Sequence, residues 1–386
     1  MKKPIFKRIA SLVLIGAMCF SLNQIPAKAA TTTASAEVIP ANTFVTTKTA
    51  GDNLDNWYKF VMPETGYVEF QFNAISRNPS ATVLVCDSDF TVKYQGKSDL
   101  NETSPKFGLE KGGVMYVDVN SYDALNFTIM AGVTVANNWE REPNDSFEKA
   151  NTITAGSTIN GSESGNDDDY FKFIMPSNGY VNFTINNPNV DTDNSGINRE
   201  ISAKVYNSAR TSLYEYWGYD SQITTQNFAS KKGSTYYIYV KPEHGDGEYS
   251  ITPNFIASNS CESEDNGSFN TANTIQMNKP LTGFLQSVDD VDFYKFQTKK
   301  AKKSKNGTIK VSLNLDIPID KSSQGYDLVL YNNEKKIVKY VSGITDNTEF
   351  TYRYKISKKS KTYYVEVKNN TGAVGAKYGI NKLVPR

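Results

Sequence analysis

The chain has 386 residues and a formal net charge of +1, with 42 Lys and Arg against 41 Asp and Glu. One histidine and three cysteines exclude a zinc cluster of His–Cys spacing and leave little material for a disulfide scaffold, whereas 24 Tyr and 20 Phe favour strands. No Gly-rich phosphate loop opens a helix, and no nucleic acid partner is expected.

In chain order, Lys2, Lys3, Lys7 and Arg8 precede a short apolar run from Ile9 to Phe20, and Ala27-Lys28-Ala29 follows. That is the pattern of a secretory signal peptide over residues 1–29, which is not expected to join the fold. Met18 stands before Cys19 where a lipid anchor wants a small residue. No later stretch is long and apolar enough for a membrane span, so an exported, extracellular and soluble protein is expected. Cys86 and Cys261 remain after processing, one in a strand-like run and one in a linker, and no disulfide is expected between them.

About 355 of the 386 residues remain, a length for two or three domains. Charge divides them unevenly. Residues 30–137 carry 7 basic and 12 acidic side chains, a net of −5; residues 138–258 carry 9 and 16, a net of −7; residues 259–386 carry 21 and 13, a net of +8. The basic last third reads first as a solvated surface and second as a polyanion site.

The same three segments are copies of one unit. Asn56-Trp57-Tyr58-Lys59-Phe60-Val61-Met62-Pro63 and Gly66-Tyr67-Val68-Glu69-Phe70 recur as Asp169-Tyr170-Phe171-Lys172-Phe173-Ile174-Met175-Pro176 and Gly179-Tyr180-Val181-Asn182-Phe183. They recur more loosely as Asp292-Phe293-Tyr294-Lys295-Phe296 and Gly307-Thr308-Ile309-Lys310-Val311. Late in each copy, Tyr116-Val117-Asp118-Val119 answers Tyr237-Ile238-Tyr239-Val240 and Tyr364-Val365-Glu366-Val367. Short runs of period two between Gly, Asn, Asp and Pro clusters predict an all-β chain of three tandem antiparallel β-sandwich, jelly-roll-like domains. Tyr180, Asn182 and Thr184 should face one way and Val181, Phe183 and Ile185 the core. Met-Pro-x-x-Gly reads as a hairpin turn between the first two strands, replaced in the third copy by a solvated loop over Lys299–Lys305. Ser146–Ala150 and Ser268–Ala272 suggest a turn at most.

Two acidic clusters stand out: Glu140-Arg141-Glu142-Pro143-Asn144-Asp145 on a linker, and Asn166-Asp167-Asp168-Asp169 at the mouth of an aromatic strand. Crowded hard oxygen donors repel one another, and a calcium ion with six to eight oxygen ligands offsets that repulsion. The alternative is a polar linker with a helix cap.

Together with Ala150-Asn151-Thr152-Ile153, a glycine and Asp169-Tyr170-Phe171-Lys172-Phe173, this pattern resembles the bacterial pre-peptidase C-terminal domain, the family that includes the collagen-binding domains of clostridial collagenases. The likeness covers the second copy throughout, the third nearly throughout and the first only in its strands. It implies a jelly-roll sandwich with calcium between the N-terminal linker and an early loop, usually in the company of a secreted peptidase; no peptidase domain is seen in this sequence. Carried over by position, the implied ligands in the second copy are Glu140, Glu142, Asn144, Asp145, Asn166 and Asp169, with Asp167 or Asp168 able to stand in for Asn166. In the third they are Glu262, Glu264, Asn266, Asp289 and Asp292, with Gly267 where an aspartate would be. In the first, Asn53 and Asn56 hold the loop positions and no calcium is expected, although Asp52 and Asp55 are close.

A catalytic role finds little support. His244, the one histidine, sits in Glu243-His244-Gly245-Asp246-Gly247, a hairpin tip, and a Ser–His–Asp or Cys–His arrangement would have to use it. The expectation is a non-catalytic binding or adhesion protein for an extracellular matrix protein (collagen-like) or a cell-wall or anionic polysaccharide, with an accessory or structural role beside secreted proteases or in a matrix as the alternative. The aromatic pair central to collagen binding in the collagenase modules falls on Lys241 and Glu243 in the second copy, and on Lys368 and Asn370 in the third. Tyr236, Tyr237, Tyr239, Tyr363 and Tyr364 lie nearby and read first as packing residues.

Overall fold

The computed structural model describes residues 25–26, 32–77, 79–96, 98–163, 167–188, 200–242, 247–298, 300, 305–316, 325–370, 374 and 376–383. These form six sheets in three sandwiches, each around its own apolar core. In the second sandwich one sheet orders Asn151–Ile153, Asp169–Ile174, Thr235–Pro242, Ile201–Asn207 and Ser212–Gly218. The facing sheet orders Ile159–Glu163, Gly247–Ala257 and Gly179–Asn186, with Gln222–Thr224 and Phe228–Ser230 both paired to the last. The first and third sandwiches repeat this plan. The alternation behaves as the sequence indicates: along Gly179–Asn186, Val181, Phe183 and Ile185 are fully buried while Tyr180, Asn182 and Thr184 are half-buried. Each buried Phe or Ile of this kind contributes about 1.5–3 kcal/mol by leaving water.

The segment Met175–Gly179 is not a hairpin turn. It joins Asp169–Ile174 to Gly179–Asn186, which lie in different sheets, and Met62–Gly66 does the same in the first sandwich. The reason is burial: both flanking strands bury their alternate Phe side chains in one core, so they must face each other across it rather than pair edge to edge. Pairing is antiparallel throughout except for short entry strands, of which Asn151–Ile153 runs parallel to Asp169–Ile174. Ile25–Pro26, inside the expected leader, also pairs in parallel with Val45–Thr46, so those two residues do touch the fold. Ser146–Ala150 is a turn. Cys86 and Cys261 are both free thiols. Among the described residues no helix is long and apolar enough to cross a membrane. His244 and Glu243, with most of Lys299–Lys305, lie outside the described residues.

Successive sandwiches touch through equivalent elements. Phe107–Leu109 of the first lies against Ile159–Glu163 of the second, and Phe228–Ser230 of the second against Leu281–Phe284 of the third. At the first joint the Glu142 N–H donates to the Gly108 carbonyl at 2.8 Å. A Cβ on Gly108 would fall 2.0 Å from the Glu140 carbonyl, so only glycine lets the two chains approach this closely.

Candidate metal centres at the joints

Each acidic linker folds over the mouth of its own sandwich, and the same device anchors both. The Asn151 side chain accepts from the Arg141 N–H and donates to its carbonyl at 2.9 Å; Asn273 does the same to Ser263, at 2.7 and 2.9 Å. Three residues beyond Asn144 and Asn266 an aromatic plug follows. Phe147 packs against Tyr170, Tyr237 and Tyr206 with ring centroids 4.8, 5.1 and 5.2 Å away, and Phe269 against Phe293, Tyr364 and Tyr331 at 4.7, 5.0 and 5.1 Å. Main-chain bonds of 3.0 Å from Tyr170 N–H to the Asn144 carbonyl and from Phe293 N–H to the Asn266 carbonyl then tie linker to strand.

This places the carboxylates face to face. Ligand oxygens of Glu140, Glu142 and Asp169 lie within 4.8 Å of one another, and so do those of Glu262, Glu264 and Asp292. In the second sandwich Glu140 accepts from Ser162 N–H at 2.7 Å, and the Tyr249 hydroxyl stands 2.8 Å from Glu140 and 2.7 Å from Asp169. In the third, Glu262 accepts from Phe284 N–H and the Tyr294 hydroxyl, while the Tyr378 hydroxyl donates to Asp292. Gly161 and Gly283 make room for these rings: a Cβ there would lie 2.3 and 2.4 Å from the Tyr249 and Tyr378 ring carbons.

In the second sandwich one phenolic proton cannot serve both Glu140 and Asp169, and in neither cup do the tyrosine hydroxyls bring a positive charge. Burial first, and mutual repulsion second, push Glu140, Asp169, Glu262, Glu264 and Asp292 well above their ordinary carboxylate range. Several oxygens are buried without a hydrogen-bond partner: Glu142 Oε1, Asn144 Oδ1 and Asp169 Oδ1 in one cup, Asn266 Oδ1 and Asp292 Oδ1 in the other. Orphaned, all-oxygen, carboxylate-rich donor sets of this kind fit a hard divalent cation such as calcium and not a soft transition metal.

Two expected ligands stand apart from these inner cups. Asp289 is exposed and reaches the rim of a cleft of about 270 Å³ between the second and third sandwiches, where Glu264, Asp265 and Asp290 also lie. Its neighbour Asp290 is half-buried and accepts from Gln286 N–H at 2.6 Å, while Asp292, two residues on, is fully buried. In the second sandwich Asn166 lies outside the described residues, and Asp167, the counterpart of Asp290, is buried. Asp145 joins Asp167 and Glu142 in a second triad, again within 4.8 Å.

That second triad already holds a cation. Lys93 of the first sandwich reaches across the joint with no side-chain exposure, its Nζ 2.5 Å from Asp167 Oδ1, 2.9 Å from Glu142 Oε2 and in contact with Asp145. The Glu142 contact is an ion pair without the angle of a hydrogen bond. Burial works against the charge on Lys93, but Glu142, Asp167 and Asp145 outweigh it and hold its pKa above the ordinary lysine value. Sequence reading misses this residue. The available signal is positional: Lys93 occupies a register irregularity opposite Val85–Cys86 that Leu213 fills opposite Val205–Tyr206, and Val338 opposite Leu330–Tyr331. Tyr249 and Tyr378 are missed too, being strand aromatics like many others.

The first sandwich has a different solution. Asn56, at the position of Asp169, is fully buried, accepts from Ala50 N–H at 2.9 Å and donates to the Leu54 and Val119 carbonyls at 2.8 and 2.7 Å. Asn53 takes a left-handed turn conformation at φ 59°.

The late-strand tyrosines are packing residues. Tyr236 and Tyr363 are in the cores, Tyr237 and Tyr364 hold the aromatic plugs, and Tyr239 packs on Tyr170. Lys241 pairs with Asp168 at 3.1 Å and Lys368 lies 3.8 Å from Glu366. Exposed aromatics among the described residues lie elsewhere: Tyr122, Tyr340 and Phe90, and the neighbours Trp217 and Tyr219, 68% and 46% exposed, at and just past the end of the edge strand Ser212–Gly218.

No family model matches the chain, and no curated protein matches it. Among solved structures, the chain is similar to the pre-peptidase C-terminal domain of a collagenase from Bacillus anthracis, at 24% identity over 30% of this chain and 99% of that one, with a TM-score of 0.22. It is also similar to the CUB1-EGF-CUB2 domains of rat MASP-1, at 13% identity over 56% of this chain and 100% of that one, with a TM-score of 0.19. Tandem CBM51 modules of a family 98 glycoside hydrolase from Streptococcus pneumoniae match at 8% identity over 60% of this chain and 85% of theirs, with a TM-score of 0.20.

Proposed function

We propose that this chain is a secreted, calcium-binding, non-catalytic protein of three tandem pre-peptidase-C-terminal-like sandwiches, which binds an extracellular matrix protein or a cell-surface polymer. The observation that carries the reading is the position of the two acidic cups. Both sit where one sandwich meets the next, beneath residues that bridge the joint, and each brings carboxylates together around buried oxygens that have no hydrogen-bond partner. Calcium supplies charge neutralisation and rigidity there, not chemistry on a substrate. Glu140, Glu142, Asp169 and Asn144 would hold it in the second sandwich, and Glu262, Glu264, Asp292 and Asn266 in the third.

Trp217 and Tyr219, exposed and close in sequence, are of the aromatic type, apolar with a polar edge, that recurs at ligand-binding sites. The engaged lysines at positions 241 and 368 argue against a collagenase-type collagen contact at the late strand. A second reading, anionic polysaccharide, is favoured by the outward Arg353 and Lys355 on the edge strand Thr348–Ile356.

A pull-down of the mature protein on insoluble collagen, peptidoglycan and acidic polysaccharide, with calcium and with chelator, tests the proposal. Retention on one polymer that weakens with Trp217→Ala supports it, and loss of that retention at raised salt assigns the polyanion reading. No retention on any of the three, or hydrolysis of one of them, removes it.

A further inference from the structure

We infer that the Lys93 ammonium is a resident cation in the outer of two cation positions of the second sandwich, so that the first joint is closed by the protein itself and takes a single calcium ion at the inner position. The inference rests on the calcium reading given above and adds to it a residue from a different sandwich.

The second sandwich brings together five carboxylates in two overlapping triads that share Glu142: Glu140, Glu142 and Asp169 inside, and Glu142, Asp145 and Asp167 outside. The inner triad keeps orphaned oxygens on Glu142, Asn144 and Asp169. The outer triad has the Lys93 Nζ among its three carboxylates, at ion-pair distance from each. The ammonium donates to Asp145 and Asp167 and pairs by charge with Glu142. Its four-carbon stem is sealed: the Lys93 side chain has no exposure, and Glu142 and Asp167 have 1% each. An extra ion therefore has no free place in the outer triad while Lys93 is there. One divalent ion together with Lys93 brings three positive charges to five carboxylates. Without Lys93 the outer triad is an all-oxygen set of three buried or half-buried acids, the same donor chemistry as the inner one.

The two tests use the intact mature chain. Calorimetric titration of demetallated protein with calcium is expected to give one more bound ion per chain for Lys93→Met than for the wild type, and no extra ion for Lys93→Arg. An unchanged count in Lys93→Met while the wild type binds calcium overturns this inference and leaves the calcium reading standing. A wild type that binds no calcium overturns both. Should the Met variant fail to fold, amine acylation of the wild type read by mass spectrometry decides. Lys93 is expected to be protected in chelator and equally protected in saturating calcium. Labelling that rises at least tenfold when calcium is added shows that the ion displaces the ammonium, and the inference falls.

Discussion

The two joints carry the same acidic linker and differ in what balances it. At the first, an ammonium from the preceding sandwich is buried among the acids. At the second, the position of Lys93 is taken by Leu213, and Leu213 lines the cleft that holds Glu264, Asp265, Asp289 and Asp290. The side-chain bonds across that joint are neutral: Gln286 donates to the Ala229 carbonyl at 3.0 Å, and Gln226 donates to the Gln286 carbonyl. On the calcium reading, an acid cluster alone does not set how strongly a joint depends on metal; a side chain some fifty residues upstream is expected to change it.

The comparison can be broken most forcefully by removing the ammonium. Lys93→Ala leaves Glu142, Asp145 and Asp167 without a counter-charge, and breaking a buried ion pair in this way costs about 3–5 kcal/mol. The expected outcome is a large drop in the melting temperature of the second sandwich in chelator, largely restored by calcium; a loss that calcium does not restore contradicts a shared cation site. Next in size is chelation of the wild type. An ion at a hundred times its Kd stabilises by about 2.7 kcal/mol. At about 4–8 °C per kcal/mol for a domain of this size, the calcium-dependent melting shift should be on the order of 10 °C. It should be greater in the third sandwich than in the second. Asp292→Ala should abolish the shift in the third, and Glu142→Ala the shift in the second. Equal shifts in the two sandwiches would erase the contrast between the joints.

Leu213→Lys tests the same contrast in the other direction. Moving an ammonium to the second joint should reduce the chelator sensitivity of the third sandwich, a change of about 1–2 kcal/mol read as a smaller melting shift. The smallest effect is on pH. In chelator, Glu262, Glu264 and Asp292 have folded pKa values raised by burial and by one another. A raised carboxylate pKa contributes stability that is present below the unfolded value and is lost as pH rises through the folded one. The chelated third sandwich should therefore be more stable near pH 5 than near pH 7.5, and saturating calcium should reverse the trend. Thermal unfolding at the two pH values checks the sign.

Much of the fold is legible in the sequence because period-two alternation fixes which face is buried, and three copies repeat the evidence. What escapes is pairing. Met-Pro-x-x-Gly is locally compatible with a hairpin, and only the shared core of its flanking strands shows that it crosses between sheets. The candidate sites divide in the same way. Glu140, Glu142 and Asp169, like Glu262, Glu264 and Asp292, are grouped by the resemblance and do come together in the fold, because their geometry is set within one copy. Asp289 is exposed while its neighbour Asp290 is half-buried, a difference that loop spacing does not reveal. Lys93 is invisible to such reasoning, because its partners lie 49 to 74 residues away in another sandwich. The first sandwich is readable in part: asparagine for aspartate at position 56 signals a changed site, but not that its side chain bonds three main-chain groups.

Gly108 has a mechanical consequence. With no side chain between it and Glu140, the first two sandwiches are joined backbone to backbone, by the Glu142 N–H on the Gly108 carbonyl next to a sealed ion pair. The matching residue in the second sandwich is Ala229, held by a glutamine side chain. The first joint is thus tied main chain to main chain, and the second by a side chain that reaches across it.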